Sequence, residues 1–304
     1  MTFKISVVIP LYNKSDYIQR AIESVLAQKV PVDEIIVVDD GSTDDGANIV
    51  NAMANEKVKL IKQKNQGVSI ARNNGIDVSN NEYVLLLDAD DIWLPHHTIE
   101  ISKLAEEFPG AGLLATAYAF QTGSRIKPAK LRGIPKQTGL LCDYFLSCIK
   151  ADLPVTASSV ALKKSSFNNI GKFPVGMKMG EDQLVWSRMA YQYDIAYSNI
   201  VSVYYDRDVE MSACKVNLIT DLAPHIKDWS LDLKNGKVPE HLRLSLAKLL
   251  HFSALYCVKN NLILNNKYKA RKILLNEQIL NKDIYWYISV LLTFLPHFVI
   301  KRVF

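Results

Sequence analysis

An α/β fold, with a mostly parallel sheet flanked by helices and a helical, basic extension after it, is predicted by three observations. Strand-like and helix-like patterns alternate through the first 120 residues. The run Ile35-Ile36-Val37-Val38 is apolar without alternation, as strands buried on both faces are. Charge divides the chain: residues 1–214 hold 22 Lys and Arg against 25 Asp and Glu, and residues 215–304 hold 14 against 6. A domain at 1–214 and an extension at 215–304 are therefore expected, with separate tasks.

Taken in order, Lys4 to Ile9 is a β-rich run ended by Pro10. Ser15 or Asp16 can cap a helix in which Tyr17, Ile18, Ala21, Ile22, Val25 and Leu26 recur at helical spacing. Glu34 to Val38 is a second strand, and the polar turn Asp39 to Asp44 leads into a helix through about Ala54. Val58 to Lys62 predicts a third strand, Ser69 to Asn80 a helix, and Tyr83 to Leu87 a fourth strand. Right-handed crossovers between these strands make the sheet parallel. Beyond Pro109 the pattern loosens. Gly112 to Phe120 and Ser158 to Leu162 read as strands, 121–137 as a mobile loop, Thr138 to Lys150 as a helix. Gly180-Glu181-Asp182 opens another helix, and 215–283 read as helices with basic faces.

Composition excludes several classes. At 304 residues, 49% hydrophobic and 22% charged, the chain is neither disordered nor fibrous. Its four cysteines form no CxxC pair, which excludes a disulfide framework and a zinc ribbon and suggests reduced, buried thiols. Residues 1–11 lack a signal-peptide pattern, so a cytoplasmic protein is expected.

Ligands of open α/β sheets bind beyond the carboxyl ends of the strands. Tyr12 and Asn13 follow the first strand, Asp39 and Asp40 the second, and Asp88-Ala89-Asp90-Asp91 the fourth. Five carboxylates at neighbouring strand ends repel one another without a cation. Oxygen-only ligands suit Mg²⁺ or Mn²⁺ held by one or two carboxylates plus substrate phosphates, and zinc lacks its usual His and Cys. Each piece also has a structural reading. Asp39-Asp40-Gly41-Ser42 makes a good turn, and Glu181-Asp182 is favourable charge at a helix N-terminus. The turn Pro10-Leu11-Tyr12-Asn13 has no glycine, which argues against a dinucleotide-binding dehydrogenase and a P-loop protein. A nucleotidyltransferase would carry a Gly-rich basic loop there.

Five motifs, in order, resemble family 2 glycosyltransferases: Val7 to Asn13; Val37 to Asp44; Asn65 to Asn73; Leu87-Asp88-Ala89-Asp90-Asp91; and Gly180-Glu181-Asp182. The resemblance covers residues 5 to about 208. It implies a GT-A, Rossmann-like fold, a nucleoside diphosphate sugar donor, a divalent metal and inversion at the anomeric carbon. It further implies that Pro10 and Tyr12 flank the base, that Asp40 hydrogen-bonds it with Asp39 beside it, and that Arg72 lies near the nucleotide or its phosphates. Asp88 is implied at the ribose or sugar, Asp90 at the metal, Asp91 at the sugar hydroxyls and Asp182 as catalytic base. The family's late basic motif is replaced by Tyr204-Tyr205-Asp206-Arg207-Asp208, where Arg207 is the candidate for a diphosphate contact. A surface-glycan enzyme with a glycan or lipid-linked acceptor is the expected class. A binding protein of the same fold without catalysis is the alternative.

Ile284 to Ile300 carries no charged residue. It could pack as a buried helix, span a membrane, or lie in the headgroup plane. Tyr285, Trp286 and Tyr287 and the surplus of basic residues favour the membrane surface. No recognition motif points to nucleic acid.

Overall fold

The computed structural model describes residues 4–177, 179–208, 220–275 and 279–303. Cys214 and part of the predicted helical run 215–283 lie outside them. The chain forms two compact units: Met1–Ser147 with Ala151–Ser212, and Cys148–Lys150 with Ala213–Phe304.

The first unit is a large sheet flanked by helices. In chain order its elements are β1 (Ile5–Leu11), α1 (Ser15–Leu26), β2 (Glu34–Asp39), α2 (Gly46–Ala52), β3 (Val58–Lys62), α3 (Val68–Val78), β4 (Tyr83–Leu86), β5 (Ile92–Trp93) and α4 (His97–Glu107). There follow β6 (Leu113–Thr122), β7 (Arg125–Pro128), β8 (Thr138–Leu140), α5 (Tyr144–Cys148), β9 (Val160–Lys163), α6 (Lys164–Ile170), α7 (Glu181–Gln192) and β10 (Ile195–Asp206). The sheet order is β3-β2-β1-β4-β9-β6-β10-β5, with β7 on β6 and β8 on β10. From β3 to β4 the pairing is parallel. Beyond β4 it is mixed, with β9 antiparallel to both β4 and β6.

Burial follows position in this order. All six residues of β2 are buried, because helices cover both faces of the parallel half. β3, at the edge, exposes Lys59 and Lys62, and edge lysines discourage pairing with other chains. On α1, Ile18, Ala21, Ile22 and Val25 form one buried stripe. Gly75 lets α3 lie close against the sheet, since a Cβ there would come within 2.3 Å of Val8 Cγ1.

A carboxylate away from the ligand-binding ends locks this half together. Glu34 is 4% exposed and accepts from Ser6 Oγ (2.8 Å), the Asn80 backbone N–H (2.7 Å), Asn80 Nδ2 (2.8 Å) and Lys59 Nζ (2.7 Å). Burial alone would raise its pKa, but Lys59 and the other donors outweigh that and hold it at about 2. Glu34→Ala should lower stability by about 2–4 kcal/mol at neutral pH, because several donors lose their acceptor together. A lowered acid pKa contributes stability above the unfolded value of 4.5 and loses it as pH falls toward about 2. The gap in melting temperature between wild type and variant should therefore close over that window. Equal melting temperatures at pH 7 would refute the clamp.

Two local expectations are corrected. Thr138 to Lys150 is not one helix: Thr138–Leu140 pairs antiparallel with β10, and only Tyr144–Cys148 is helical. Within the predicted loop 121–137, Arg125–Pro128 pairs with β6. Among the described cysteines, Cys148 and Cys257 are buried but Cys142 is exposed.

The second unit is helical: α8 (Pro224–Lys234), α9 (Glu240–Ile263), α10 (Lys267–Leu274), α11 (Ile284–Leu292) and α12 (His297–Val303). On α9, Leu246, Leu250, Ala254, Val258 and Leu262 recur every four residues and are buried. The apolar run 284–300 is two short helices that part before Pro296. Among the described residues no helix is long and apolar enough to cross a membrane.

Candidate active site

The loops after β1, β2, β3 and β4 meet at the carboxyl ends of the parallel strands. The first two are tied by side chains. Asn13, at φ 51°, accepts from the Thr43 N–H at 2.8 Å and donates its own N–H to Ser42 Oγ at 3.1 Å. Asp44 accepts the Ser15 N–H at the start of α1 (2.8 Å), and Asp39 accepts the Ser42 N–H (2.9 Å). Asp39 is thus a turn-holding residue. Pro10 is partly buried, whereas the Tyr12 side chain stands out at 48% exposure.

Asp40 is 3% exposed. Its Oδ1 accepts from Gln63 Nε2 (2.7 Å) and the Gln66 N–H (2.8 Å), and its Oδ2 accepts from the Gly67 N–H (2.8 Å). The carboxylate shapes the loop into α3 and keeps acceptor capacity on Oδ2.

Arg72, on α3, is 4% exposed. It donates to Asp88 at 2.7 Å and Glu181 at 3.0 Å, and its guanidinium faces the Phe173 ring. Burial alone would lower its pKa, but Asp88 and Glu181 outweigh that and raise it. Its charge is committed to two carboxylates. Arg72 joins the β4 loop to the start of α7.

The β4 loop separates three acids by environment. Asp88 is partly exposed beside Arg72. Asp90 pairs with Lys14 Nζ at 2.8 Å. Burial and then Asp88 raise its pKa, and Lys14 only partly opposes them. Asp91 is 1% exposed, accepts the Ser158 hydroxyl on one oxygen, and accepts the Asp206 N–H on the other at 3.0 Å. Burial first, then Asp88 and Asp90, push its pKa well up. Asp91 thereby locks the loop to Ser158 and to the end of β10.

Asp182 lies in the first turn of α7, which begins after Gly180 at φ 80°. Its Oδ1 accepts the Gln183 N–H at 2.7 Å. Burial and then Glu181 push its pKa up to about 6, against the pull of Arg72. Arg207, the candidate diphosphate contact, stacks on the Phe120 ring at 3.4 Å from the centroid. That contact engages its guanidinium within the chain.

Three residues escaped the sequence reading. Lys14 and Arg20 flank the Tyr17 ring. Arg20 donates to the Asp90 carbonyl at 2.7 Å and pairs with Asp206. Ser158 Oγ also accepts the Asp88 N–H at 3.0 Å. The spacing Lys14, Tyr17, Arg20 was the available signal, one helix turn between members.

Among the described residues, Lys14 pairs with Asp90, Arg20 with Asp206, and Arg72 with Asp88 and Glu181, with Asp91 and Asp182 close by. That surplus of carboxylate fits a divalent cation. No group of three or more His, Cys, Asp or Glu that could hold a metal occurs among the described residues. Asp90 would supply one carboxylate to such an ion, and Mg²⁺ and Mn²⁺ are the ions that complete so small a set with water and phosphate.

Comparison with known proteins bears on the family and the fold. Residues 6–167 match the model of the family Glycosyl transferase family 2. An uncharacterized glycosyltransferase of Rickettsia felis is 41% identical over 195 residues, covering 63% of this chain and 31% of its own length. A poly(ribitol-phosphate) beta-glucosyltransferase of Bacillus spizizenii is 30% identical over 203 residues, 62% of this chain and 29% of its own. The chain spans about a third or less of these relatives' length. Residues 1–349 of S. aureus TarS, solved with UDP-GlcNAc, superpose with a TM-score of 0.69 at 19% identity, covering 91% of this chain and 82% of that one. The mannosyltransferase PcManGT of Pyrobaculum calidifontis, solved with GDP-Man and Mn²⁺, gives 0.64 at 15%, over 98% and 83%. With the family match covering more than half its length and the GT-A architecture in its first unit, the chain belongs to glycosyl transferase family 2.

Proposed function

We propose that the first unit is an inverting glycosyltransferase. It moves one sugar from a nucleoside diphosphate donor to a lipid-linked glycan acceptor of a surface polysaccharide, at the cytoplasmic face of a membrane. The observation that carries this reading is the pair of ion pairs Glu181–Arg72–Asp88, which ties the first turn of α7, where Asp182 lies, to the β4 loop that carries Asp90. It joins the turn that carries Asp182, whose pKa burial and Glu181 raise to about 6, to a loop that can anchor a diphosphate. In support, TarS was solved with UDP-GlcNAc and PcManGT with GDP-Man and Mn²⁺.

In this reading Pro10 and Tyr12 hold the base, which reaches the remaining acceptor capacity of Asp40. Asp39 keeps the turn in place. Asp88, fixed by Arg72, meets the ribose or sugar. Asp90 would hold Mn²⁺ or Mg²⁺, which would offset the charge that grows on the departing diphosphate. Asp182 takes the proton of the acceptor hydroxyl as its oxygen bonds the anomeric carbon. The bond from that carbon to the diphosphate breaks on the opposite side, which inverts the configuration.

The test offers the full chain a panel of UDP- and GDP-sugars with Mn²⁺ and a lipid-linked saccharide acceptor. Nucleoside diphosphate release and the anomeric configuration of the product are read. One donor class should be consumed and the product inverted. Donor binding without turnover on any acceptor would leave a binding protein, and a retained configuration would remove Asp182 as base.

A further inference from the structure

We infer that the second unit docks on an anionic lipid surface through the outward face of α11 and the turn and helix that follow it. This gives residues to the membrane location proposed above, but it uses no residue of the first unit.

Ile284, Tyr287, Ile288 and Leu291 lie at i, i+3, i+4 and i+7, one face of a helix. Such a face ordinarily packs on a core. Here it is turned outward, with Ile284 65% and Leu291 66% exposed. Phe294 at 69% and Phe298 at 64% extend it past Pro296. The segment is anchored from its other side. Leu292 and Ile300 are buried, Trp286 Nε1 donates to the Leu274 carbonyl at 3.0 Å, and Asp283 caps α11 through the Trp286 N–H. The exposed residues are thus the free side of a docked helix. So contiguous an apolar face marks a contact surface.

The charge beside it selects the occupant. Arg271 donates to the Thr293 carbonyl at 3.0 Å and stands over the Phe294 ring at 4.6 Å. Lys267 reaches the Leu295 carbonyl, and Lys282 lies by the Trp286 ring. From residue 241 onward the chain holds ten Lys and Arg against two Asp and Glu. A second copy seated on this face would bring two basic rims together, at a Coulombic cost. An anionic bilayer accepts both features at once: apolar side chains enter the acyl boundary while the cations stay among the headgroups. Aromatic rings at the rim suit the same boundary.

The experiment sediments the full chain with vesicles of phosphatidylcholine alone, or with half phosphatidylglycerol. Wild type should partition onto the anionic vesicles, and several-fold less as salt rises from about 0.05 to 0.5 M. The double variant Ile288→Glu, Leu291→Glu should partition at least ~100-fold less, since each exposed side chain contributes more than about tenfold when buried. If that variant fails to fold, as judged by circular dichroism, the lipid and salt arms on wild type decide. Three results would overturn the proposal: wild type remaining in the supernatant with both vesicles, equal partition of a folded variant, or a dimer that the variant splits while vesicles are ignored. Sugar transfer to the acceptor of the function test, followed in the same samples, separates the two readings. Vesicle binding without turnover removes the transferase alone, and turnover without vesicle binding removes the docking alone.

Discussion

Asp182→Asn should lower turnover by about 10²–10⁴-fold, the range for loss of a general base. The affinity for nucleoside diphosphate should stay within about twofold. The asymmetry follows from placement. Asp182 is held at the first turn of α7 by the Gln183 N–H, and its neighbour Glu181 carries the bond to Arg72. Asparagine keeps an oxygen for the Gln183 N–H, and Glu181 still fixes Arg72 and Asp88. Only the proton acceptor is lost. A variant that loses nucleotide affinity and keeps its turnover would remove Asp182 from the role.

The same side chain sets a pH dependence. A base with its pKa at about 6 is protonated below that value, so kcat/KM should fall tenfold per pH unit below about 6. An acid whose folded pKa is raised above its ordinary 3.8 destabilises the fold where it is ionised, fully above about 6 and not at all below 3.8. Asp182→Asn should therefore raise stability, on the order of 1–3 kcal/mol at pH 8, and the gain should vanish by about pH 4. A merely structural carboxylate would lose stability on substitution. Melting curves of the full chain at both pH values decide between the two.

The parallel half of the sheet was legible because its strands announce themselves. Val7 to Ile9 and Ile35 to Val38 are apolar without break, and only burial on both faces explains that. β8 could not be read. Thr138-Gly139-Leu140 has no alternation and becomes a strand only through its partners Ala196 to Ser198, more than fifty residues away. β5 is two residues long and likewise exists by pairing with β10. The acids of the site were legible as strand-end residues. Their partners were harder to see, because Lys14, just before α1, and Arg20, on it, look like an ordinary solvated helix face despite their spacing. Asp206 stood one position from Arg207, and the sequence could not say which of the two turns toward the β4 loop. The fold does: the Asp206 N–H bonds Asp91 and its carboxylate takes Arg20, while Arg207 stacks on Phe120.

Asp90→Asn should reduce turnover by about 10³-fold or more and leave the fold intact. The fold should survive because Arg20 holds the loop through the Asp90 backbone carbonyl, which the substitution does not touch. Asp91 and Ser158 likewise lock it from below. Stability should even rise slightly, since burial and Asp88 already work against the Asp90 charge. What disappears is the one carboxylate of the loop whose partner, Lys14, is a side chain that can swing away. Asp88 is bound to Arg72 and Asp91 is closed in, so neither can take its place. A divalent cation held there would be worth several kcal/mol in the transition state, hence the size of the effect. EDTA should silence the wild type to the same degree, and added Mn²⁺ or Mg²⁺ should restore it but not the variant. Mn²⁺ binding followed by its paramagnetic signal, with nucleoside diphosphate present, should be lost in Asp90→Asn and kept in Asp182→Asn. Full activity of the wild type in EDTA would leave Asp90 as the ion-pair partner of Lys14 and nothing more.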